Sequence, residues 1–368
     1  MTYLDANAAE KLRPAARAAL LAAIEEVGNP SSVHRPGRAA RRILETAREE
    51  LARRFGADPA DLVFVSGGTE ADALALHMLG AGAFGAGRRV IVGATEHDAI
   101  RATAPEAVTL AVDRNGVADL DGLARLLAEG PPALVVLMLA NNETGVLQPV
   151  AEAGRLCRRF GAFLHVDAVA AAGRIAIDFG SLGASTLAIS SHKLGGPAGA
   201  GALFLAPDAA SHFRPLIAGG GQERGRRGGT PPVAVIAGFA AAAHEAPTAG
   251  EALGGLRDEA EEAAMAAGAI VLGAGAPRLA NTTSLALPGV KAETQVIAMD
   301  LAGVAVSAGA ACSSGKVSRS HVLEAMGAGP LAGQAIRVSL PWNATRADIA
   351  HFASAYAEMA GRLLRPAA

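Results

Sequence analysis

A single lysine, Lys193, stands between a predicted strand at residues 186–190 and a glycine-rich turn at residues 194–197 (LGGP). The chain contains only four lysines, so arginine supplies nearly all of its positive charge. Because arginine cannot form an imine or titrate near neutrality, a lysine retained here favours amine chemistry. A desolvated lysine has a lowered pKa and attacks aldehydes. An ordinary surface lysine is the alternative.

Two other groups with chemical potential also follow predicted strands. Residues 65–70 (VSGGTE) run from a strand directly into a helix, where Gly68 and Thr69 would offer unpaired N–H groups to a phosphate. Asp167 ends the apolar segment 162–167, and a carboxylate there is costly unless it meets a cation. A pyridinium nitrogen is one such cation. An ordinary helix cap is the structural alternative at both places.

A phosphate cradle, a carboxylate opposite a ring nitrogen and a linking lysine are together what pyridoxal phosphate requires of a protein. His97 follows the predicted strand 89–92, at the same edge of the sheet, and adds an aromatic ring and a proton carrier. A lone histidine is more often structural, so this role depends on its neighbours. We expect no metal site.

Cys312 and Arg337 are further candidates. Cys312 lies in the Gly/Ser-rich segment 308–320, which is expected to be a mobile loop with an accessible thiol. Lys316 or a cation at the cofactor site would activate this thiol by lowering its pKa. Cys157, on a predicted helix, is expected to be packed. Arg337 lies within an apolar strand, where a guanidinium needs either a substrate carboxylate or a structural salt bridge.

The elements that must position these residues alternate between residues 13 and 245. Strands are predicted at residues 61–65, 89–92, 133–139, 162–167, 186–190 and 201–205. Helices are predicted at residues 38–55, 69–79, 120–129 and 151–160. This alternation indicates an α/β fold with a mainly parallel sheet covered by helices, which binds ligands at the carboxyl ends of its strands.

The pattern changes after Pro247. A helix is predicted at residues 251–267, strands at 283–286 and 335–340, and a further helix at 346–364. These elements indicate a smaller α+β domain. We expect a large domain at residues 13–245 and a small domain, made of residues 1–12 and 246–368, that carries the cysteine segment.

The composition favours a globular protein that has neither nucleic acid nor membrane partners. Apolar residues make up 51% of the chain and charged residues 18%, and the formal net charge is −2 with no basic tail. The longest apolar run, residues 133–140, is too short to cross a bilayer. Two cysteines cannot form a disulfide framework, and the first residues do not resemble a signal peptide, so a cytoplasmic location is expected.

The order and spacing of nine short motifs resemble the NifS/IscS branch of the cysteine desulfurases, within the class V aminotransferase group. The motifs are residues 3–8 (YLDANA), 28–34 (GNPSSVH), 66–70 (SGGTE), 95–97 (TEH), 141–145 (NNETG), 165–169 (HVDAV), 191–193 (SHK), 219–225 (GGGQERG) and 311–315 (ACSSG). With residues 336–340 (IRVSL), the resemblance covers nearly the whole chain. Any single motif could occur by chance, but the combination is specific.

The resemblance implies pyridoxal-phosphate fold type I, with a mainly parallel seven-stranded sheet sandwiched by helices. It implies conversion of L-cysteine to L-alanine, with the sulfur transferred to Cys312 as a persulfide. Lys193 would link to the cofactor, Asp167 would pair with the pyridine nitrogen, and His97 would stack on the ring and shuttle protons. The sulfur would then pass to a protein acceptor such as an iron–sulfur scaffold.

The same resemblance implies the remaining contacts. Asn142 would contact the ring hydroxyl, while Arg337 and Asn7 would bind the substrate. The residues that hold the phosphate would be Gly68, Thr69, Ser190, His192 and, from a neighbouring subunit, Thr230. This last contact implies a homodimer with active sites at its interface.

The chain also departs from the family pattern. Ala170 replaces a glutamine that donates to the ring hydroxyl, which leaves Asn142 as the expected side-chain partner there. Ala73, Ala9 and Pro231 stand where asparagine, threonine and glutamate are usual. A specialised paralogue or a slower enzyme therefore remains open. The alternative functions are a selenocysteine lyase, an aminotransferase or β-eliminating enzyme of the same fold, and a non-catalytic sulfur-handling protein.

Overall fold

Strands and helices alternate along the computed structural model, which describes residues 1–26, 28–80, 88–130, 133–247, 251–309 and 319–364. The strands are β1 (Thr2–Tyr3), β2 (Leu62–Val65), β3 (Arg89–Gly93), β4 (Val108–Leu110), β5 (Ala133–Met138), β6 (Phe163–Asp167), β7 (Thr186–Ser190), β8 (Gly201–Leu205), β9 (Ile270–Leu272), β10 (Thr282–Ala286), β11 (Val304–Ala305), β12 (Ser307–Ala308) and β13 (Ala335–Ser339). The α-helices are α1 (Pro14–Ile24), α2 (Arg35–Phe55), α3 (Gly68–Leu79), α4 (Asp98–Thr103), α5 (Leu120–Ala128), α6 (Val150–Arg159), α7 (Phe179–Leu182), α8 (Pro207–Ala210), α9 (Val233–Glu245), α10 (Glu251–Ala266), α11 (Ala292–Leu301), α12 (His321–Ala325) and α13 (Arg346–Leu363).

The main sheet has seven strands in the order β2-β8-β7-β6-β5-β3-β4. Strand β8 runs antiparallel to both of its neighbours, and the other adjacent pairs are parallel. The predicted α/β class with a mainly parallel seven-stranded sheet is therefore confirmed.

Strand β5 shows why this sheet needs helices on both faces. All six of its residues are buried. Val135 and Leu137 pack into one apolar cluster, whereas Leu134 and Val136 pack into another. Since alternate side chains of a strand point to opposite faces, an apolar run of this kind is stable only in a sheet that is covered on both sides.

The strand register brings the functional strand ends to one edge of the sheet. Asp167, the last residue of β6, lies opposite Met138 of β5 and Ala188 of β7. Ser190, at the end of β7, lies opposite Gly201, which also pairs with the end of β2. The turns that follow β2, β5, β6 and β7 therefore meet at this edge, where open α/β sheets bind their ligands.

A second, antiparallel sheet of four strands has the order β12-β13-β10-β9. Its core combines apolar residues of β10 and β13 with α10 and α13, and it includes the buried rings of Phe352 and Tyr356. The N-terminal strand β1 pairs with β11 in a separate two-stranded ribbon. Within the described ranges, no helix has both the length and the apolar character needed to cross a membrane.

All the strands and helices that were predicted are found, with ends shifted by three residues or fewer. Helices α1, α9 and α11, strand β4 and several shorter strands and helices were not predicted. Helix α9 (VAVIAGFAAAAHE) shows the reason, because it consists almost wholly of apolar and small residues. Without polar positions, no 3.6-residue periodicity distinguishes such a helix from any other buried segment.

Candidate active site

A cavity of about 290 Å³ lies at the edge of the main sheet where β5, β6 and β7 end. Nine residues predicted for the site line it: Asn7, Gly68, Thr69, His97, Asn142, Asp167, Ser190, His192 and Lys193. Ala170, which stands where the family pattern has glutamine, is also part of the wall. The fold therefore brings together groups that are separated by up to 186 residues in sequence.

Lys193 projects from a short 3-10 turn, Ser191–Lys193, that directly follows β7. Its Nζ donates to the backbone carbonyl of Asn7 at 2.5 Å and to that of Ala8 at 3.0 Å. The N-terminal segment thus holds the amine at the wall of the cavity. The sequence alone indicated a strand-end lysine, but not that residues 7 and 8 would hold it.

The predicted phosphate cradle is the N-terminus of α3. Gly67 occupies the cap position, and Gly68 and Thr69 begin the helix at the cavity wall. A Cβ on Gly68 would lie 2.6 Å from a methyl carbon of Val169, so only glycine fits there. The N–H groups and the dipole at this helix N-terminus favour an anion.

Ser190 and His192 complete the polar side of this cradle. The Ser190 hydroxyl lies 3.0 Å from Nδ1 of His192. Burial and the neighbouring Lys193 lower the pKa of His192 to about 4. The imidazole is therefore neutral at pH 7, and in the tautomer whose Nδ1 accepts from Ser190, its Nε2–H is a donor. Neutral donors of this kind can bind a phosphate together with the helix N-terminus.

Asp167 is buried, and its Oδ1 accepts a hydrogen bond from the backbone N–H of Val169 at 2.8 Å. Burial, reinforced by the nearby Asp72, raises the pKa of Asp167 to about 7. A cationic ring nitrogen placed against it would stabilise the ionised form of this carboxylate.

Asp72 is a cavity residue that the sequence did not reveal. It lies on α3, is 2% exposed, and its Oδ1 is 3.1 Å from Nε2 of His165. The other ring nitrogen of His165 lies 2.8 Å from the hydroxyl of Thr186. Burial raises the pKa of Asp72 to about 7 and lowers that of His165 to about 4. The available signal was an acidic residue on the buried face of an otherwise apolar helix.

His97 lines the cavity and caps the N-terminus of α4. Its Nδ1 accepts from the backbone N–H of Ala99 at 3.1 Å. In the neutral ring the proton therefore resides on Nε2. A proton on Nε2 could be exchanged with a ligand bound in the cavity.

Arg337 does not line the cavity but lies behind its wall. Its Nη2 donates to Asp5 at 2.7 Å, and its Nη1 donates to the carbonyl of Asn142 at 3.1 Å. Its buried Nε has no hydrogen-bond partner within the described residues. The structural salt bridge that the sequence left open is thus formed. Asn7 donates to the same Asn142 carbonyl at 3.0 Å, so this carbonyl joins both predicted substrate residues.

Besides Arg337, two other predicted residues are not among those that line the cavity. Thr230 is exposed and absent from its lining, as expected of a group that would serve another subunit. Cys312 and the neighbouring Lys316 lie outside the described residues, as does most of the segment predicted to be a mobile loop.

Replacing Asp167 with asparagine should change how the stability of the cofactor-free protein depends on pH. The folded-state pKa of Asp167, about 7, exceeds its ordinary value of 3.8. A raised folded pKa contributes stability that is complete below about pH 4 and is lost as the pH rises to about 7. The variant has no such proton to lose. Its melting temperature should therefore rise relative to wild type between pH 4 and pH 7, on the order of 5 °C.

The difference between the two proteins isolates this effect. His165 and His192, whose pKa values are lowered to about 4, destabilise both proteins at acidic pH and largely cancel. Differential scanning fluorimetry across this range provides the measurement. A melting-temperature difference that stays constant from pH 4 to pH 7 would contradict the assignment.

Comparisons with known proteins agree with this geometry. The family model for aminotransferase class-V matches residues 2–352. The chain is 37% identical to the IscS-like cysteine desulfurase of Mycobacterium tuberculosis, over 95% of this chain and 93% of that relative. The NifS-like protein from Rickettsia africae matches in structure with a TM-score of 0.89 at 32% identity, covering 98% and 99% of the two chains.

A further solved structure, described as SspA in complex with cysteine, matches with a TM-score of 0.82 at 25% identity. It covers 93% of this chain and 99% of that one. The family model and these relatives span nearly the whole chain. The protein is accordingly a member of the class-V aminotransferase family.

Proposed function

We propose that this protein is a pyridoxal-phosphate-dependent cysteine desulfurase, which converts L-cysteine to L-alanine and leaves the sulfur on Cys312 as a persulfide. The observation that carries the proposal is the meeting of Lys193, Asp167 and the N-terminus of α3 in one cavity. Relatives named cysteine desulfurase support it over most of the chain.

The residues of the cavity fit the cofactor. Asp167 would pair with the ring nitrogen, Asn142 with the ring hydroxyl, and His97 would stack on the ring. The phosphate would be held by Gly68, Thr69, Ser190 and His192. The N-terminus of α3 at the cavity wall and the buried carboxylate of Asp167 are the structural features that favour this occupant. When bound, pyridoxal phosphate supplies a covalent link to an amine and an electron sink for the α-carbon.

Lys193 and His97 would move the protons. The carbonyls of Asn7 and Ala8 orient Nζ of Lys193, so that the amine can take a proton from the substrate α-carbon once it is free of the cofactor. The Nε2 atom of His97 would exchange a proton with the same ligand. Both groups line one cavity, which removes the cost of bringing them together.

Cys312 would collect the sulfur. Its thiolate attacks the sulfur of the substrate, the S–S bond forms as the C–S bond of cysteine breaks, and the carbon left behind is protonated to give L-alanine. Thiol plus L-cysteine thus becomes persulfide plus L-alanine, and no external oxidant or reductant is needed. The persulfide would then be passed to the thiol of a protein acceptor, such as an iron–sulfur scaffold.

Arg337 and Asn7 would bind the substrate carboxylate. Arg337 is buried, and its Nε has no partner among the described residues, so a carboxylate could accept from it alongside or in place of Asp5. Asn7 and Arg337 both donate to the carbonyl of Asn142. Movement of one side chain would therefore alter the hydrogen bonding of the other.

A single-turnover assay tests the function. The cofactor-loaded protein, incubated with L-cysteine without reductant, should form one L-alanine per active site and a persulfide on Cys312 that mass spectrometry detects as an added 32 Da. With excess reductant, sulfide and alanine should accumulate in equal amounts. A preference for L-selenocysteine in parallel assays would favour the lyase alternative, and alanine formation without persulfide would refute sulfur transfer to Cys312.

We also propose a homodimer, because Thr230 is exposed and does not line the cavity of its own chain, so that it could serve the phosphate site of a second copy. The domain division at residues 13–245, with residues 1–12 and 246–368 as the smaller domain, is supported by the separate core beneath the four-stranded sheet. A cytoplasmic location accords with the thiol chemistry proposed for Cys312. Light scattering and limited proteolysis would test the first two proposals.

A further inference from the structure

Glu143 is a buried carboxylate at a junction between the two sheets. Its side chain follows the end of β5 in the segment 141–145 (NNETG), and only 3% of the residue is exposed. The Ser320 hydroxyl donates to Oε2 of Glu143 at 2.5 Å. A Cβ on Gly309 would lie only 2.3 Å from the same oxygen. One carboxylate oxygen therefore touches two positions that are eleven residues apart in sequence.

These two positions flank the stretch of sequence that contains Cys312. Gly309 directly follows β12, which pairs with β13 in the four-stranded sheet. Ser320 caps α12, since its Oγ accepts from the backbone N–H of Leu323 at 3.1 Å. Both positions are thus attached to the smaller sheet, whereas Glu143 belongs to the turn at the edge of the main sheet.

The same turn reaches the cavity. Asn142, the residue before Glu143, is part of the cavity wall. The side-chain oxygen of Asn141 accepts from the backbone N–H groups of Glu143 and Thr144, both at 2.9 Å. These bonds hold the Glu143 backbone beside the cavity wall. The Glu143 side chain contacts Gly309 and Ser320, so the positions of these two residues are fixed relative to the wall.

We propose that Glu143 is a positioning residue for sulfur transfer, because it fixes Gly309 and Ser320 relative to the cavity at which the substrate sulfur is released. The inference rests on the proposed role of Cys312. Glu143 touches neither the cavity nor the reacting atoms, so it acts through the two residues that it holds.

The role requires a hydrogen-bond acceptor of the right length and not a negative charge. Burial raises the pKa of Glu143, while the Ser320 hydroxyl and Arg337 oppose that shift. Asp98 adds to the rise and His97 lowers it. Glutamine has the same length and keeps an acceptor oxygen, so it should replace Glu143, whereas alanine leaves the Ser320 hydroxyl without its partner.

Two reactions of the loaded enzyme separate positioning from cofactor chemistry. Exchange of the α-proton of L-alanine in deuterated water requires Lys193 but no thiol. Persulfide formation in a single turnover with L-cysteine requires both. Glu143→Ala should slow persulfide formation on the order of 10- to 100-fold, as expected for a misplaced reactant. It should leave α-proton exchange within about twofold of wild type, and Glu143→Gln should restore persulfide formation to within about threefold of wild type.

Gly309 offers a double-mutant cycle with the same two assays. Gly309→Ala in the wild-type background should reproduce the loss, because the new methyl group displaces the carboxylate. In the Glu143→Ala background the space is free, so the second substitution should add no further loss. Glu152→Ala, on the exposed face of α6, is the control and should match wild type in both reactions.

Ser320→Gly keeps the proposal testable if Glu143→Ala does not fold. Glycine is tolerated at a helix N-cap, so α12 keeps its start while the donor to Glu143 is lost. The same selective loss of persulfide formation is expected. Equal slowing of both reactions, or unchanged persulfide formation in folded variants, would overturn the role of Glu143. A wild-type protein that forms no persulfide would instead refute the proposed function.

Discussion

Replacing Lys193 with alanine is expected to lower desulfuration of L-cysteine by about 10²–10⁴-fold and to abolish the covalent attachment of the cofactor. The reason is that Nζ of Lys193 is the amine held at the cavity wall by the carbonyls of Asn7 and Ala8. Loss of the amine removes both the link to the cofactor and the base for the α-proton. Borohydride reduction followed by mass spectrometry measures the attachment, and alanine formation measures the rate.

Two further lysine variants, Lys193→Arg and Lys291→Ala, serve as controls for this test. Lys193→Arg keeps the positive charge but cannot form an imine, so it should be as inactive as the alanine variant. Lys291→Ala removes an exposed lysine at the start of α11, far from the cavity wall, and should leave both readouts at wild-type values. A reducible cofactor adduct that survives in Lys193→Ala would show that another amine carries the cofactor.

Replacing Cys312 with alanine is expected to lower sulfur release from L-cysteine on the order of 10³-fold or more, because the nucleophile that accepts the sulfur is lost. The reactions that need only Lys193 should remain, so α-proton exchange of L-alanine should continue near the wild-type rate. This pattern is the opposite of that expected for Lys193→Ala, which loses both reactions. Sulfide release and proton exchange, measured on the same preparation, distinguish the two.

Cys157→Ala is the matched control for Cys312→Ala, because it removes the other cysteine of the chain. Cys157 is buried in the core between α6 and the main sheet, and burial raises its pKa to about 12. A thiol with so little thiolate at pH 7 is a poor nucleophile. Cys157→Ala should therefore retain sulfur transfer, with at most a modest loss of thermal stability. Full turnover by Cys312→Ala would contradict the assignment of the sulfur acceptor.

The sequence predicted the main sheet well, because its strands are short apolar runs with clear ends. Strand β7 and strand β8 have the predicted bounds, and β5 differs from prediction by one residue. Helix α9 was missed because apolar and small residues fill almost every position, so neither helical periodicity nor a polar face is visible. Strand β4 was not predicted because it is only three residues long. It depends on pairing with β3 as well as on its own sequence.

The sequence predicted site residues where a reactive side chain ends a strand or lies in the turn that follows it. Lys193, Asp167 and Thr69 satisfy this rule, and parallel strands bring such residues to one edge. Asp72 was not predicted as a site residue because it lies inside α3, where only its contact with His165 distinguishes it from an ordinary helical residue. Glu143 was not singled out for a similar reason, since its partner Ser320 is 177 residues away in sequence.

The sequence by itself determined which reactive groups are present and at which edge of the sheet they stand, because strand ends and helix starts are local properties of the chain. Only the tertiary structure decided the partner of each group. Arg337 illustrates the difference. A guanidinium within an apolar strand allowed either a substrate carboxylate or a structural anion as its partner, and the fold places Oδ1 of Asp5 at 2.7 Å from its Nη2. Such pairings join residues that are hundreds of positions apart, so they follow from packing and not from any local pattern.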